Sequence, residues 1–253
     1  MSSHRFYIPP AAWSPAQPVL QGVEAHHCTD VLRLGPGARV VVFNGEGSEI
    51  MCEIIEGNPD RVRLKPISGG RSPKLRCAIT LAQAVPKGKN MELIVQKATE
   101  LGVSKIIPLL SERTVIHLDA ADAQKRINKW RTVVIEASKQ CGQNWLPEVA
   151  APLTPKQFFA EFDRYEVALI ASLQHDAQSF KHVLCEFRDQ HGRRPQSVLM
   201  LIGPEGDFTP AEAAQAKSAG CAPVSLGPIV LRTETAAIYS LSVLAHELQG
   251  ADT

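Results

Sequence analysis

The chain has 253 residues, 44% of them hydrophobic, with 27 Lys and Arg against 26 Asp and Glu and a formal net charge of +1. Length and apolar content suffice for two ordinary domains, each with its own core, and the near-neutral total by itself argues against a nucleic-acid binder. The six cysteines are scattered without a CxxC pair, which indicates neither a zinc ribbon nor a disulfide framework but reduced thiols of a cytosolic protein.

Charge is unevenly placed. The net is 0 over residues 1–72, +6 over 73–140 and −5 over 141–253. A localised phosphate-facing surface produces such a basic middle, and so do solvated helix faces. The opening MSSHRFYIPPAAW lacks a basic-then-apolar leader pattern, and no apolar run approaches the roughly 18 residues of a membrane span. A soluble cytoplasmic protein is therefore expected.

Residues 1–72 read as all-β with one short helix. Strands are expected at Arg39–Phe43, Ser48–Ile55 and Arg61–Ile67, with a hairpin signal at Asn44-Gly45 and a helix over His26–Leu34 ended by Gly35-Pro36-Gly37. His26-His27 has no third ligand in sight, so no metal is expected. Ile67 to Lys74, rich in small and turn-forming residues, reads as a linker.

From Leu75 strands alternate with helices, the signature of a parallel sheet. Cys77–Val85 is the first strand, and Pro86-Lys87-Gly88-Lys89 turns it into a helix whose core stripe is Met91, Val95, Ala98 and Leu101, closed by Gly102. Lys97 and Glu100, one turn apart, suit a helical ion pair. Lys105–Leu110 is the next strand, with Ser111-Glu112-Arg113-Thr114 as its carboxyl-end loop. Ala121–Cys141 is a long amphipathic helix with Ile127, Trp130, Val134 and Ala137 inward. Val167–Ala171 is a further strand, followed by the loop Ser172 to Asp176.

The most informative stretch is Val198 to Leu248, where a strand, a Gly-Pro loop and a helix occur twice. Val198–Ile202 breaks at Gly203-Pro204-Glu205-Gly206, and a helix opens at Thr209-Pro210 with Glu212 in its first turn. The second copy is a strand Val224–Leu226, then Gly227-Pro228, the apolar Ile229-Val230-Leu231, the polar run Arg232 to Thr235, and a helix with Ala237, Leu241, Leu244 and Leu248 on one stripe. Loops at the carboxyl ends of neighbouring parallel strands line one crevice. Neither GxGxxG nor GxxxxGK[ST] occurs, so a dinucleotide or nucleoside triphosphate is poorly supported. Apolar, backbone-rich loops suit an aromatic base held by packing and main-chain amides, beside a group that wants no adjacent cation. S-adenosylmethionine has that character.

LIGPEGDFTPAE followed by VSLGPIVLRTETAAIYSL resembles the cofactor-binding part of the RsmE ribosomal RNA methyltransferases of the SPOUT superfamily. PKGKNMELIVQKATELGVSKIIPLLSERTV, KWRTVVIEASKQCGQNWLPEV and, more loosely, HHCTDVLRLGPGARVVVFNGEG extend the resemblance over most of the chain. It implies an α/β fold: a SPOUT-type trefoil-knotted parallel-sheet domain over 73–253, preceded by a small PUA-like β-barrel RNA-binding domain over 1–72. It further implies a homodimer acting on 16S rRNA, and methyl transfer from S-adenosyl-L-methionine to N3 of a uridine. A SPOUT 2′-O-ribose methyltransferase and a non-catalytic RNA-binding assembly factor remain alternatives.

The cofactor set carried over is Leu173, Leu201, Ile202, Gly203, Pro204, Glu205, Gly206, Leu226, Gly227, Ile229, Leu231, Thr235 and Ala236; His175 is weighed too, and reads more simply as a solvated loop residue. Arg232 is the first catalytic candidate and Glu234 the second, although a first-turn carboxylate held ionised by the helix dipole is a weak base. Arg5, Arg33 and Arg39 are candidate phosphate contacts of the front module, and Lys87, Lys89, Arg113 and Lys139 of the RNA-facing surface. Two departures stand out: Gln143, where the family often has arginine, and Asp207, where its pattern commonly has glycine.

Overall fold

Alternation of apolar and polar residues over Arg39–Phe43 (β3) and Ser48–Gly57 (β4) buries every second side chain, as a half-covered sheet requires. A computed structural model describes residues 4–114, 119–162 and 165–250. Met1–Ser3 and Val115, part of the stretches quoted above, lie outside the described residues. The chain forms two compact units, residues 1–74 with 135–146 and residues 75–134 with 147–253.

In the first unit β3 and β4 join His4–Tyr7 (β1), Val19–Gln21 (β2) and Arg61–Arg71 (β5) in a curled sheet of order β1-β3-β4-β5-β2, with β1 and β3 parallel and the remaining pairs antiparallel. Phe6, Leu20, Val40, Val42, Cys52 and Val62 are fully or almost fully buried in its core. The Asn44-Gly45 signal marks the β3–β4 hairpin, where Asn44 Oδ1 accepts from the amides of Glu46 and Ser48.

Two expectations are corrected here, and two strands are added. The stretch read as a linker continues β5 as far as Arg71, with Gly69 opposite Ile50 and Gly70 opposite Glu49. A Cβ on Gly69 would lie 3.1 Å from the Glu49 carbonyl, so this glycine admits a close strand and not a flexible hinge. The short helix starts earlier, as Val23–His26 (α1), and continues as a π turn over His27–Val31. β1 and β2 went unpredicted, being too short to show a period.

In the second unit, Ala78–Ala84 (β6), Lys105–Leu109 (β7), Glu148–Val149 (β8), Val167–Ala171 (β9), Ser197–Ile202 (β10) and Ala222–Val224 (β11) form a wholly parallel sheet of order β11-β9-β10-β6-β7-β8. Its central strands are buried almost without interruption, as expected of a sheet covered on both faces. The helices are Asn90–Glu100 (α2), Ala120–Cys141 (α3), whose residues from 135 on belong to the first unit, Pro155–Ala160 (α4), Phe180–His191 (α5), Pro210–Ser218 (α6) and Thr233–Gln249 (α7). The predicted stripes on α3 and α7 hold, with Ile127, Trp130, Val134, Ala137, Ala237, Leu241, Leu244 and Leu248 all buried, while on α2 Met91, Val95 and Ala98 are buried and Leu101, the residue after the last turn, is only half-buried. Lys97 and Glu100 pair at 2.8 Å. β11 ends at Val224 and not Leu226, because the amide of Ser225 turns to the Gln178 carbonyl, which frees Leu226 from the sheet.

Among the described residues no helix is long and apolar enough to cross a membrane, and no group of three His, Cys, Asp or Glu could hold a metal. Burial pushes the thiols of Cys28 and Cys52 up to about 11 and those of Cys77 and Cys221 up to about 12, so these four stay protonated at neutral pH.

Two predicted RNA contacts are used inside the first unit instead. Arg5 pairs with Glu49 at 2.9 Å, donates to the Asn144 side chain and packs on the Phe43 ring. Lys139, its side chain only 8% exposed, pairs at 3.0 Å with both Glu24 and Glu136. Desolvation raises the Glu24 carboxyl above its ordinary value while Lys139 pulls it down. A folded-state value above the unfolded one makes the buried carboxylate a cost that is absent at acidic pH and grows as pH rises through the folded value. Lys139→Met strands this carboxylate. We expect a loss of about 3 kcal/mol at neutral pH, measured by urea unfolding, that shrinks as the pH is lowered.

Candidate active site

All strands of the second sheet point one way, so the loops leaving β6, β7, β9, β10 and β11 share an edge, and in open α/β sheets that edge binds ligands. β9 lies between β10 and β11, which makes their three exit loops neighbours. These loops and the start of α7 enclose a cavity of about 300 Å³, at the small end for ligand sites.

The cavity gathers Leu173, Ile202, Gly203, Pro204, Glu205, Leu226, Gly227, Ile229, Leu231 and Ala236 from the predicted set, together with Arg232. Four predicted residues do not line it. Leu201 is 1% exposed and packs in the sheet core, since successive strand side chains point to opposite faces. Gly206 turns its carbonyl to the Arg113 guanidinium. Glu234 and Thr235 follow the lining residue Thr233 on α7, where each step rotates the side chain by about 100°, and both fall outside the lining. The exposed His175 lies outside it as well.

Ala171, Ser172, Asp207, Val230 and Thr233 complete the wall. Thr233 was legible only as part of a polar run, yet its hydroxyl donates to the Gly203 carbonyl at 2.7 Å and accepts from Gln83 Nε2 at 3.1 Å. Gln83, on β6, is completely buried. Its signal was a lone amide in the apolar strand AITLAQA, which must find partners if buried.

Backbone geometry shapes the walls. Gly203 leaves little room for a Cβ, which would sit 3.0 Å from Asp207 Oδ1 and 3.2 Å from the Phe208 amide. Asp207 is left-handed, at φ 61, and its carboxylate accepts from the Phe208 amide at 2.7 Å. The amides of Leu226, Ile229, Val230 and Leu231 donate to no group among the described residues. Glu205 accepts from the Lys87 amide at 2.9 Å, tying the loop after β10 to the loop after β6. The exposed Lys87 and Lys89 lie on that second loop and Arg113 on the loop after β7, while Arg33 and Arg39 are exposed on the first unit.

Residues 73–245 match the model of a family described as RNA methyltransferase domain, and residues 20–67 one described as RNA methyltransferase PUA domain. A ribosomal RNA small subunit methyltransferase E from Synechocystis sp. is 31% identical over 95% of this chain and 76% of its own. The chain belongs to the ribosomal RNA small subunit methyltransferase E family. Another family member, from Neisseria gonorrhoeae and bound to S-adenosyl methionine, superposes over 100% of both chains with a TM-score of 0.85 at 27% identity. A Legionella pneumophila protein solved with the bound cofactor SAM matches over 98% of both chains, with a TM-score of 0.87 and 34% identity. The front unit is thus the PUA-like sheet of this family, and the parallel sheet its methyltransferase domain.

Thr233→Val keeps the shape but leaves the Gly203 carbonyl and the Gln83 amide short of a partner. Stability should fall by about 2 kcal/mol, and calorimetry should show weaker S-adenosylhomocysteine binding than in the parent protein.

Proposed function

We propose that this protein transfers the methyl group of S-adenosylmethionine to N3 of a uridine in 16S rRNA of the small ribosomal subunit. The observation that carries the reading is the cavity itself, lined from three exit loops by apolar side chains and by a loop after β11 whose amides at Leu226, Ile229, Val230 and Leu231 donate to no group among the described residues, in a chain of an RNA methyltransferase family. Its donor set fits the cofactor. Ile202, Leu226, Ile229 and Leu231 can hold a flat base, the amides of the loop after β11 can read its edge, and the lining carries Glu205 and Asp207 against the single cation Arg232. That balance suits a positively charged sulfonium and disfavours a pyrophosphate.

When bound, the cofactor supplies an electrophilic methyl group on sulfur. The protein's own contribution is position and field. Aligning the two reactants contributes several kcal/mol. The N3 proton of uracil is weakly acidic, so the site must favour the anion that remains once it leaves. Arg232 is the one cationic side chain in the lining and stands at the N-cap of α7, where its guanidinium and the helix N-terminus both offer positive potential. Glu234, the second candidate, lies off the lining and makes no hydrogen bond or ion pair with Arg232 among the described residues, so no step is assigned to it.

Residues 1–72 form the RNA-binding module of this reading and 73–253 the catalytic domain, threaded as a trefoil knot and working as a cytoplasmic homodimer. Lys87, Lys89 and Arg113, exposed on loops of the cavity edge, are the RNA contacts, joined by Arg33 on the front module.

Arg232→Ala should leave S-adenosylhomocysteine affinity within about twofold and cut turnover about 100-fold or more, measured on assembled small subunits with base-resolved mass spectrometry. Methyl found on ribose, or no cofactor binding by the parent protein, would overturn the proposal.

A further inference from the structure

Glu212 is a charged side chain only 6% exposed, and it lies outside the cavity lining. Both of its oxygens are taken, by donors from two different elements. Oε2 accepts from the Thr209 amide at 2.8 Å, closing the capping box of α6, and Oε1 accepts from the Glu112 amide at 2.9 Å. Glu112 belongs to the exit loop of β7, a turn closed by the Thr114 amide on the Ser111 carbonyl. The next residue, Arg113, donates through Nη1 to the carbonyl of Gly206, between the cavity residues Glu205 and Asp207. Its remaining guanidinium N–H groups have no partner among the described residues.

We infer that Glu212 is a positioning residue that holds Arg113 at the edge of the methyl-donor cavity, where the free part of its guanidinium grips the RNA next to the base to be methylated. The inference rests on the proposed function and adds a residue to it. A capping box alone needs one acceptor oxygen. Here the second oxygen reaches another loop, and only a carboxylate offers two acceptors, because an amide presents a donor on one side. The cofactor loop is gripped from both sides of the turn, through the start of α6 and through Gly206, so Arg113 keeps register with the residues that line the cavity. A planar fork held in register can meet a phosphate or a base edge through paired bonds.

The test uses the full-length protein with assembled small subunits. Glu212→Gln keeps the volume and removes one acceptor, and the KM for RNA should rise roughly tenfold while S-adenosylhomocysteine affinity stays within about twofold. Glu112→Pro removes the loop donor, together with an exposed carboxylate whose loss would by itself favour RNA, at a turn position that favours proline; it spares the capping box, keeps the test open if Glu212→Gln folds poorly, and should raise the KM similarly. Arg113→Ala should raise the KM at least as much, and either change combined with Arg113→Ala should add little to it, since residues acting through one contact are not additive. Full additivity, an unchanged KM in Glu112→Pro, or an equal loss of cofactor affinity would overturn the inference. A parent protein that binds no cofactor or methylates no RNA would instead overturn the function on which it rests.

Discussion

The hydroxyl of Thr233 is where three parts of the second unit meet. It donates to the carbonyl of Gly203, just past the end of β10, and accepts from Gln83 on β6. In a parallel sheet the last carbonyl of a strand has no further ladder partner, and a helix start has spare donors and room for a side chain. One short β-branched side chain closes the strand exit against the helix entry, and the cavity lies beside that closure. Gln83 supports the arrangement from below, opposite Ile202 in the strand register. If the hydroxyl were missing, the loop after β10 would keep its ties to Lys87 and Arg113 and lose the one at its entry, at Gly203.

What could be read from the sequence was whatever has a short-range cause. The start of α6 was read from Thr209 as N-cap, Pro210 at the first helical position and Glu212 in the first turn, and all three stand there, Glu212 also closing a capping box with Thr209. The burial of α3 follows a helical period that Ile127, Trp130, Val134 and Ala137 display openly. What could not be read has a long-range cause. Gly69 and Gly70 look like a linker because nothing local says that Glu49 and Ile50 run alongside. The second role of Glu212 depends on an amide 100 residues away in sequence. Leu201 and Ile202 are adjacent and equally apolar, and only the sheet decides that one faces the core and the other the cavity.

The basic middle of the chain shows why a segment's net charge is a poor guide to a surface. Lys105 pairs with Glu148 and Lys139 with Glu24, acids that belong to other segments, while Lys129 pairs with Glu92 and Lys97 with Glu100 within the segment. Apart from the buried Lys139–Glu24 pair, such pairs contribute little to stability, yet each shortens the reach of a cation that would otherwise be counted toward RNA. Lys87, Lys89 and Arg113 make no ion pair among the described residues, and all three stand on exit loops of the parallel sheet. These three cations place positive charge at the edge that carries the cavity, where it is not neutralised by an ion pair with an acid among the described residues.

Asp207 illustrates what a backbone-built pocket tolerates. The loop needs a left-handed residue there, and the resembled pattern supplies glycine; aspartate reaches the same φ by accepting the next amide with its own carboxylate, a compensation open to few side chains. The chain path is preserved, and the wall keeps its form because the amides and carbonyls that define it are common to every residue type. What changes is the field, since a second carboxylate joins Glu205 opposite Arg232. A cavity walled largely by main-chain groups can thus absorb wide sequence divergence in shape, while its few charged side chains decide what charge it will accept.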